Sequence, residues 1–286
     1  MKLCRFNDQR LGIVEGETIR DVSEALLVLP PRHYPLPTFD TMVAAIDEVR
    51  AAAESLIEAP TLRIDEATLL SPVANPGKLV AAPVNYQAHL DEAIADEATF
   101  TRAHVRRIQE TGLFLKATSS LIGPGQPIRL SHPHRRTDHE IELAVVIGRE
   151  CRRVTREKAL SYVAGYSIGL DITVRGPEER SLRKSLDTYS VLGPWMVTAD
   201  EFGDPSGQEM NLDVDGMLRQ HANTRDLIMS VPELIEFASA YYTLMPGDVI
   251  FTGTPEGVGP IRAGETITAS IAGIGNMCVE VCDDAR

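Results

Sequence analysis

The chain has 286 residues, 43% hydrophobic and 5% aromatic, and a formal charge of −13. This is ordinary globular composition, enough for one large domain or one large plus one small. The acidity and the lack of a basic stripe exclude a nucleic-acid surface, and no apolar run approaches the about 20 residues of a membrane span.

In chain order, MKLCRF, RLGIVEG and ETIRDVS read as short strands with turns. The polar turn of MKLCRFNDQR gives it no signal-peptide core. After the Pro-rich connector LPPRHYPLPTF, the spacing of Met42, Ile46, Val49, Ala53 and Leu56 predicts one helix. SPVANPGK, residues 71–78, reads as a linker, so a small N-terminal domain is expected over 1–70 and a main domain over 71–286. In the main domain KLVAAPV predicts a strand, and HLDEAIADEATFTRAHVRRIQETG a polar, partly helical segment. SVPELIEFASAYYTL predicts a helix opened by a Ser230/Glu233 capping box. Strands outnumber helices and regular βαβ alternation is missing, which points to an α+β, β-rich fold. Cys4, Cys151, Cys278 and Cys282 form no CxxC pair, so free thiols in a reducing cytoplasm are expected and a zinc knuckle is not.

The chemistry concentrates in DHEIELAVVIG. Glu140 and Glu142 stand two residues apart at the entrance of an apolar strand, on one face of it. Read alone, the pair fits a solvated strand end. Asp171, in the otherwise apolar GYSIGLDITV, changes that reading. An isolated acid there needs a partner. Two glutamates and an aspartate on neighbouring strands would make a three-oxygen site suited to Mg²⁺ or Mn²⁺ rather than zinc. In NYQAHLDE, His89 and Glu92 are helical neighbours, a spacing that lets a carboxylate orient an imidazole base. Two other patterns are weaker. Gly165-Tyr166-Ser167-Ile168-Gly169 matches the serine nucleophile elbow, but a strand rather than a helix follows. His132, His134 and His139 lie in a polar, Arg-rich stretch and read as surface histidines.

With KLVAAPVNYQAH, FLKATSSLIGPG, DHEIELAVVIG, GYSIGLDITVRG, RKSLDTYSVLGPW and PGDVIFTGTPEGVG in this order, the chain resembles the fumarylacetoacetate hydrolase family over roughly residues 75–260. Within it, the acylpyruvase and 2-hydroxyhepta-2,4-diene-1,7-dioate isomerase-like branch is the nearer. The resemblance implies a mixed β-roll catalytic domain behind a small N-terminal α/β domain, and a homodimer. It implies a metal triad of Glu140, Glu142 and Asp171 holding Mg²⁺, sometimes Mn²⁺ or Ca²⁺. His89 and Glu92 match a catalytic dyad, Lys184 a catalytic position, and Arg175, Thr254 and Lys116 substrate-side positions. The chain departs from the family in T-V-R-G-P-E, where S-A-R-D-x-Q is common, so Gly176 and Glu178 replace Asp and Gln. Ala82 or Pro83 also stands where a glycine is common.

The expected reaction is hydrolysis of a 2,4-dioxo acid of the acylpyruvate or fumarylpyruvate type in aromatic catabolism. His89 would take a proton from water, Glu92 would orient it, and Lys184 and Thr254 would stabilise oxyanion charge. An enolate of pyruvate type would leave, held by the metal. The segment 89–110 would close as a lid. Arg175, Lys184 and the arginines of the lid segment favour an anionic, dicarboxylic oxo acid. The rivals are an isomerase or decarboxylase of 2-oxo-ene-dioates, which uses the same enolate, and a non-catalytic binding protein.

Overall fold

The computed structural model describes residues 1–96, 99 and 108–284. Among these residues a mixed sheet of twelve strands forms the centre. Its N-terminal part runs Thr61–Arg63, Thr18–Asp21, Arg10–Glu15 and Lys2–Phe6, and the last pairs antiparallel with Ser190–Thr198. The order continues through Val163–Asp171, Ile141–Ile147, Val249–Phe251, Leu79–Ala81 and Phe114–Lys116. A five-stranded sheet includes the hairpin Glu209–Val214 and Met217–Asn223. A three-stranded sheet joins Thr173–Val174, Thr137–His139 and Gly259–Pro260. This is the strand-rich α+β class expected from the sequence. No helix among the described residues is long and apolar enough to cross a membrane.

The strand Ile141–Ile147 is buried along its whole length because both faces of the sheet are covered. Ile141, Leu143, Val145 and Ile147 pack into one core with Tyr166, Ile168 and Leu170. Ala144 and Val146 point the other way, into a core with Leu79 and Phe251. Strand parity carries Glu142 and Glu140 onto this second face, at its open end. The neighbouring strand pairs Ile141 with Leu170 and Glu142 with Gly169. The backbone N–H of Asp171 donates to the Glu140 carbonyl at 2.9 Å, so the register delivers the third acid beside the first two.

Two local expectations, the single helix and a surface His139, meet a different outcome, while the dismissal of Ser167 holds. The expected single helix is two, Thr41–Ala44 and Ile46–Ser55, because Ala45 leaves helical geometry at φ −113°, ψ 32°. His139 is fully buried, not a surface histidine: its strand is paired on both sides, with Thr173–Val174 and Gly259–Pro260. His132 and His134 are exposed, as expected. Ser167 lies within the strand Val163–Asp171, where its hydroxyl donates to the Gly193 and Trp195 carbonyls, so it is no nucleophile elbow. The capping box of Val231–Tyr241 forms between Ser230 and Glu233.

Candidate active site

Ligand oxygens of Glu140, Glu142 and Asp171 all lie within 4.8 Å of one another, and all three residues are buried. Like charges at that distance repel by roughly 3 kcal/mol per pair at an effective dielectric of about 20. Positive charge must therefore be supplied, and the chain supplies part of it. Lys184 Nζ donates to Glu140 Oε2 at 2.6 Å, to Asp171 Oδ2 at 2.8 Å and to Thr173 Oγ1 at 2.6 Å. Lys116 Nζ donates to Asp171 Oδ1 and, at 2.7 Å, to the Tyr189 carbonyl. Arg175 reaches Glu140 Oε1 at 2.9 Å and Asp138 Oδ2 at 2.8 Å.

The two glutamates differ as a result. Burial pushes the Glu140 pKa up, but the charges of Lys184 and Arg175 overcome it and hold the group at about 2. Glu142 has no direct basic partner among the described residues. Burial, and then the charges of Asp171 and Glu140, raise its pKa well above the usual range against the pull of Lys184. Its Oε2 accepts the Gly253 N–H at 2.6 Å. Gly253 has φ +100°, and a Cβ there would lie 2.6 Å from that of Asn85, so only glycine presents this amide so closely. Three hard carboxylate donors, one of them short of positive charge, fit a divalent cation such as Mg²⁺ or Mn²⁺.

His89 and Glu92 share the helix Gln87–Ala95, which begins beside the buried Asn85. His89 Nδ1 lies 2.9 Å from Glu92 Oε2, and the other oxygen, Oε1, accepts the Gly257 N–H at 3.0 Å. The carboxylate fixes Nδ1 as the protonated nitrogen, which directs the Nε2 lone pair away from Glu92. The Gly-rich loop TGTPEGVG thus contributes backbone amides to two acids of the site, Glu142 and Glu92. Thr254 in the same loop accepts a hydrogen bond from Gln220 Nε2 at 2.9 Å, which leaves its hydroxyl hydrogen to donate elsewhere.

One pocket of about 640 Å³, counted with its open mouth, brings these groups together. His89, Glu140, Glu142, Asp171, Arg175, Lys184 and Thr254 line it. Glu92 and Lys116 stand behind this lining and hold His89 and Asp171. Of the lid segment 89–110, residues 97, 98 and 100–107 lie outside the described residues.

Sequence reading missed four residues. Asp138 is fully buried and holds both Arg175 and Arg136. Gln220 is the buried residue of an otherwise outward strand; besides Thr254 it binds the Ile141 N–H at 3.0 Å and contacts His139 Nδ1 at 3.2 Å. Arg180 and Arg183 also line the pocket. The run RSLRK, which ends on the expected Lys184, was the available signal for them.

A buried acid triad beside a His–Glu pair on one pocket suits a divalent-metal-dependent enzyme, and comparison with known proteins fixes the family. Residues 78–282 match the family model for the fumarylacetoacetate (FAA) hydrolase C-terminal domain, and the chain belongs to this family. It is 55% identical over 284 residues to a maleylpyruvate hydrolase of Aquipseudomonas alcaligenes, spanning 98% of this chain and 99% of that one. The crystal structure of maleylpyruvate hydrolase from Sphingobium sp. SYK-6, in complex with manganese(II) ion and pyruvate, superposes with a TM-score of 0.85. It is 40% identical over the whole of both chains. A 5-carboxymethyl-2-hydroxymuconate delta-isomerase from Mycobacterium smegmatis gives a TM-score of 0.73 at 30% identity, over 99% of this chain and all of that one.

Proposed function

We propose that this protein is a divalent-metal-dependent hydrolase that cleaves a carbon–carbon bond of an acylpyruvate, of the maleylpyruvate type, in aromatic catabolism. The carrying observation is the His89–Glu92 pair on the same pocket as the buried acid triad. A base placed to take a proton from water is what a hydrolase needs.

Glu140, Glu142 and Asp171 would hold the cation. When bound, it supplies Lewis acidity to the 2-oxo acid end of the substrate. His89 takes a proton from water at Nε2 while Glu92 stabilises the imidazolium through Nδ1. The resulting hydroxide adds to the distal carbonyl, and Thr254 donates to the oxyanion from the hydroxyl hydrogen that Gln220 leaves unused. The bond between that carbon and the methylene breaks, and its electron pair goes to the three-carbon fragment. Lys184 faces the negative charge that develops there, and protonation at the methylene carbon completes pyruvate. One acylpyruvate and one water thus become pyruvate and a carboxylate, with release of one proton. Arg175 and Lys116 keep the acids oriented and complete the positive field on the substrate side.

The second reading is an isomerase or decarboxylase. The likeness to a protein named as a delta-isomerase favours it, since both chemistries use the same enolate. Product analysis separates them. With Mn²⁺ or Mg²⁺, maleylpyruvate should yield pyruvate and a second acid in equal amounts. A shifted double bond, or CO₂ without pyruvate, defeats the hydrolase reading. We further propose a cytoplasmic homodimer, in keeping with the free thiols at all four cysteines and with the family resemblance. Light scattering should then give the mass of two chains.

A further inference from the structure

Arg183 differs from the other basic residues around the pocket. Its residue surface is only 7% exposed. Its guanidinium donates from Nε to the Glu178 carbonyl at 2.8 Å and from Nη1 to the Val174 carbonyl at 3.2 Å. Both acceptors are neutral, and among the described residues no carboxylate pairs with it. Its neighbours are committed elsewhere. Arg175 is held by Asp138 and Glu140, Arg135 by Glu178, and Lys184 by Glu140 and Asp171.

A buried cation without a counter-charge is costly, and a fold retains one where a ligand completes it. Burial disfavours the charged form of Arg183, and the like charge of Arg175 adds to the effect. An incoming anion relieves both. The guanidinium of Arg180 lies 5.8 Å from the centre of the Phe114 ring, and Lys184 Nζ lies 5.7 Å from the same point. A single aromatic ring thus adjoins both a second guanidinium and the ammonium that touches the acid triad. The pocket therefore has an end that takes a 2-oxo acid and, on the helix Arg180–Arg183, an end that is positive and wants a carboxylate.

We propose that Arg183, assisted by Arg180, binds the terminal carboxylate of the acyl fragment and selects acylpyruvates that carry one. This rests on the functional reading above. Arg183 is a specificity residue on this view: it touches substrate remote from the bond that breaks. The planar guanidinium suits a two-point grip on a carboxylate, which an ammonium does not reproduce.

The test compares the Mn²⁺-loaded wild type with Arg183→Met, Arg183→Lys and Arg180→Met on maleylpyruvate and on acetylpyruvate, which has no terminal carboxylate. For Arg183→Met, kcat/KM on maleylpyruvate should fall roughly 100-fold, as expected for a buried charge partner removed, and stay within about threefold on acetylpyruvate. Arg183→Lys should recover part of the loss, and Arg180→Met should lose selectivity to a smaller degree. An equal fall on both substrates, or no fall on maleylpyruvate, overturns the assignment. If Arg183→Met does not fold, Arg183→Lys decides alone: wild-type selectivity, or a uniform loss, overturns it. A wild type that cleaves neither substrate defeats the functional reading instead. The arginine is then judged by whether maleate raises the melting temperature of the Mn²⁺-loaded wild type but not of Arg183→Met; an equal rise in both overturns the assignment.

Discussion

The acid side and the basic side of the pocket are built by different means. Glu142 and Asp171 stand on two adjacent central strands, with Glu140 immediately before the first of them, and their spacing follows from a ladder buried on both faces. Arg175, Arg180, Arg183 and Lys184 come from one stretch whose regular structure is a single four-residue helix. That stretch is held by side chains. Glu178 binds Arg135, Arg135 binds the Arg175 carbonyl, and Asp138 binds Arg175. A sheet register changes only in steps of whole residues, so the acids tolerate little variation. The basic stretch can be rewritten one contact at a time. The difference teaches why chains of this fold can keep one metal chemistry while altering the substrate, and why the departures from the family pattern, Gly176 and Glu178, fall on the basic side.

The sharpest way to break the comparison is to change an acid without changing shape. Glu142→Gln should remove metal-dependent turnover altogether. Its Mn²⁺ affinity should fall by more than the about 100-fold typical of residues behind a metal's ligands. Calorimetric titration with Mn²⁺ and pyruvate release measure both, and unaltered affinity would remove Glu142 from the cation site. Next in size, His89→Ala should lower kcat by about 10²- to 10⁴-fold while Mn²⁺ binding persists. Loss of the metal in that variant would show that His89 belongs to the acid side.

A pH series sharpens the same contrast within the acids. In the metal-free fold Glu142 keeps its proton at pH values where an unfolded glutamate has lost it. Stability from this group is therefore present at low pH and is lost as pH rises through its raised pKa. A bound cation must displace that proton and then pairs with the carboxylate. The rise in melting temperature on adding Mn²⁺ should accordingly be larger at pH 8 than at pH 5.5. Glu140 is already ionised, with its pKa held at about 2, and contributes nothing to this trend. A flat series would contradict the assignment of the raised group.

The acid side was legible in the sequence because a charged residue inside an apolar strand is a local anomaly, and Glu142 and Asp171 are such anomalies. The His89–Glu92 pair was legible because helix geometry alone makes residues three apart neighbours. Arg183 was not. A basic residue in a polar stretch is solvated by default, and only the packing of distant elements buries it. Gln220 and His139 were hidden for the same reason: their burial comes with contacts to segments far along the chain, Ile141 for Gln220 and Gly259–Pro260 for His139. The two-helix outcome around Ala45 was invisible because the apolar spacing runs unbroken through it.

The smallest effect expected is at Gly176. A Cβ added there would lie 2.0 Å from Arg135 Nη2 and 2.5 Å from Glu178 Oε2. Both are the far ends of flexible side chains, so Gly176→Ala should fold, with the Arg135–Glu178 pair displaced. That pair is about a third exposed, and such pairs contribute less than about 1 kcal/mol. For a chain of this size the melting temperature should fall by no more than about 2–4 °C. The basic stretch, however, loses the contact that ties it to the Arg175 carbonyl. KM for a carboxylate-bearing acylpyruvate should therefore rise several-fold, while Mn²⁺ affinity, set by the sheet, stays at the wild-type value. If Mn²⁺ affinity falls along with KM, the two sides of the pocket are mechanically one unit and the separation drawn between them fails.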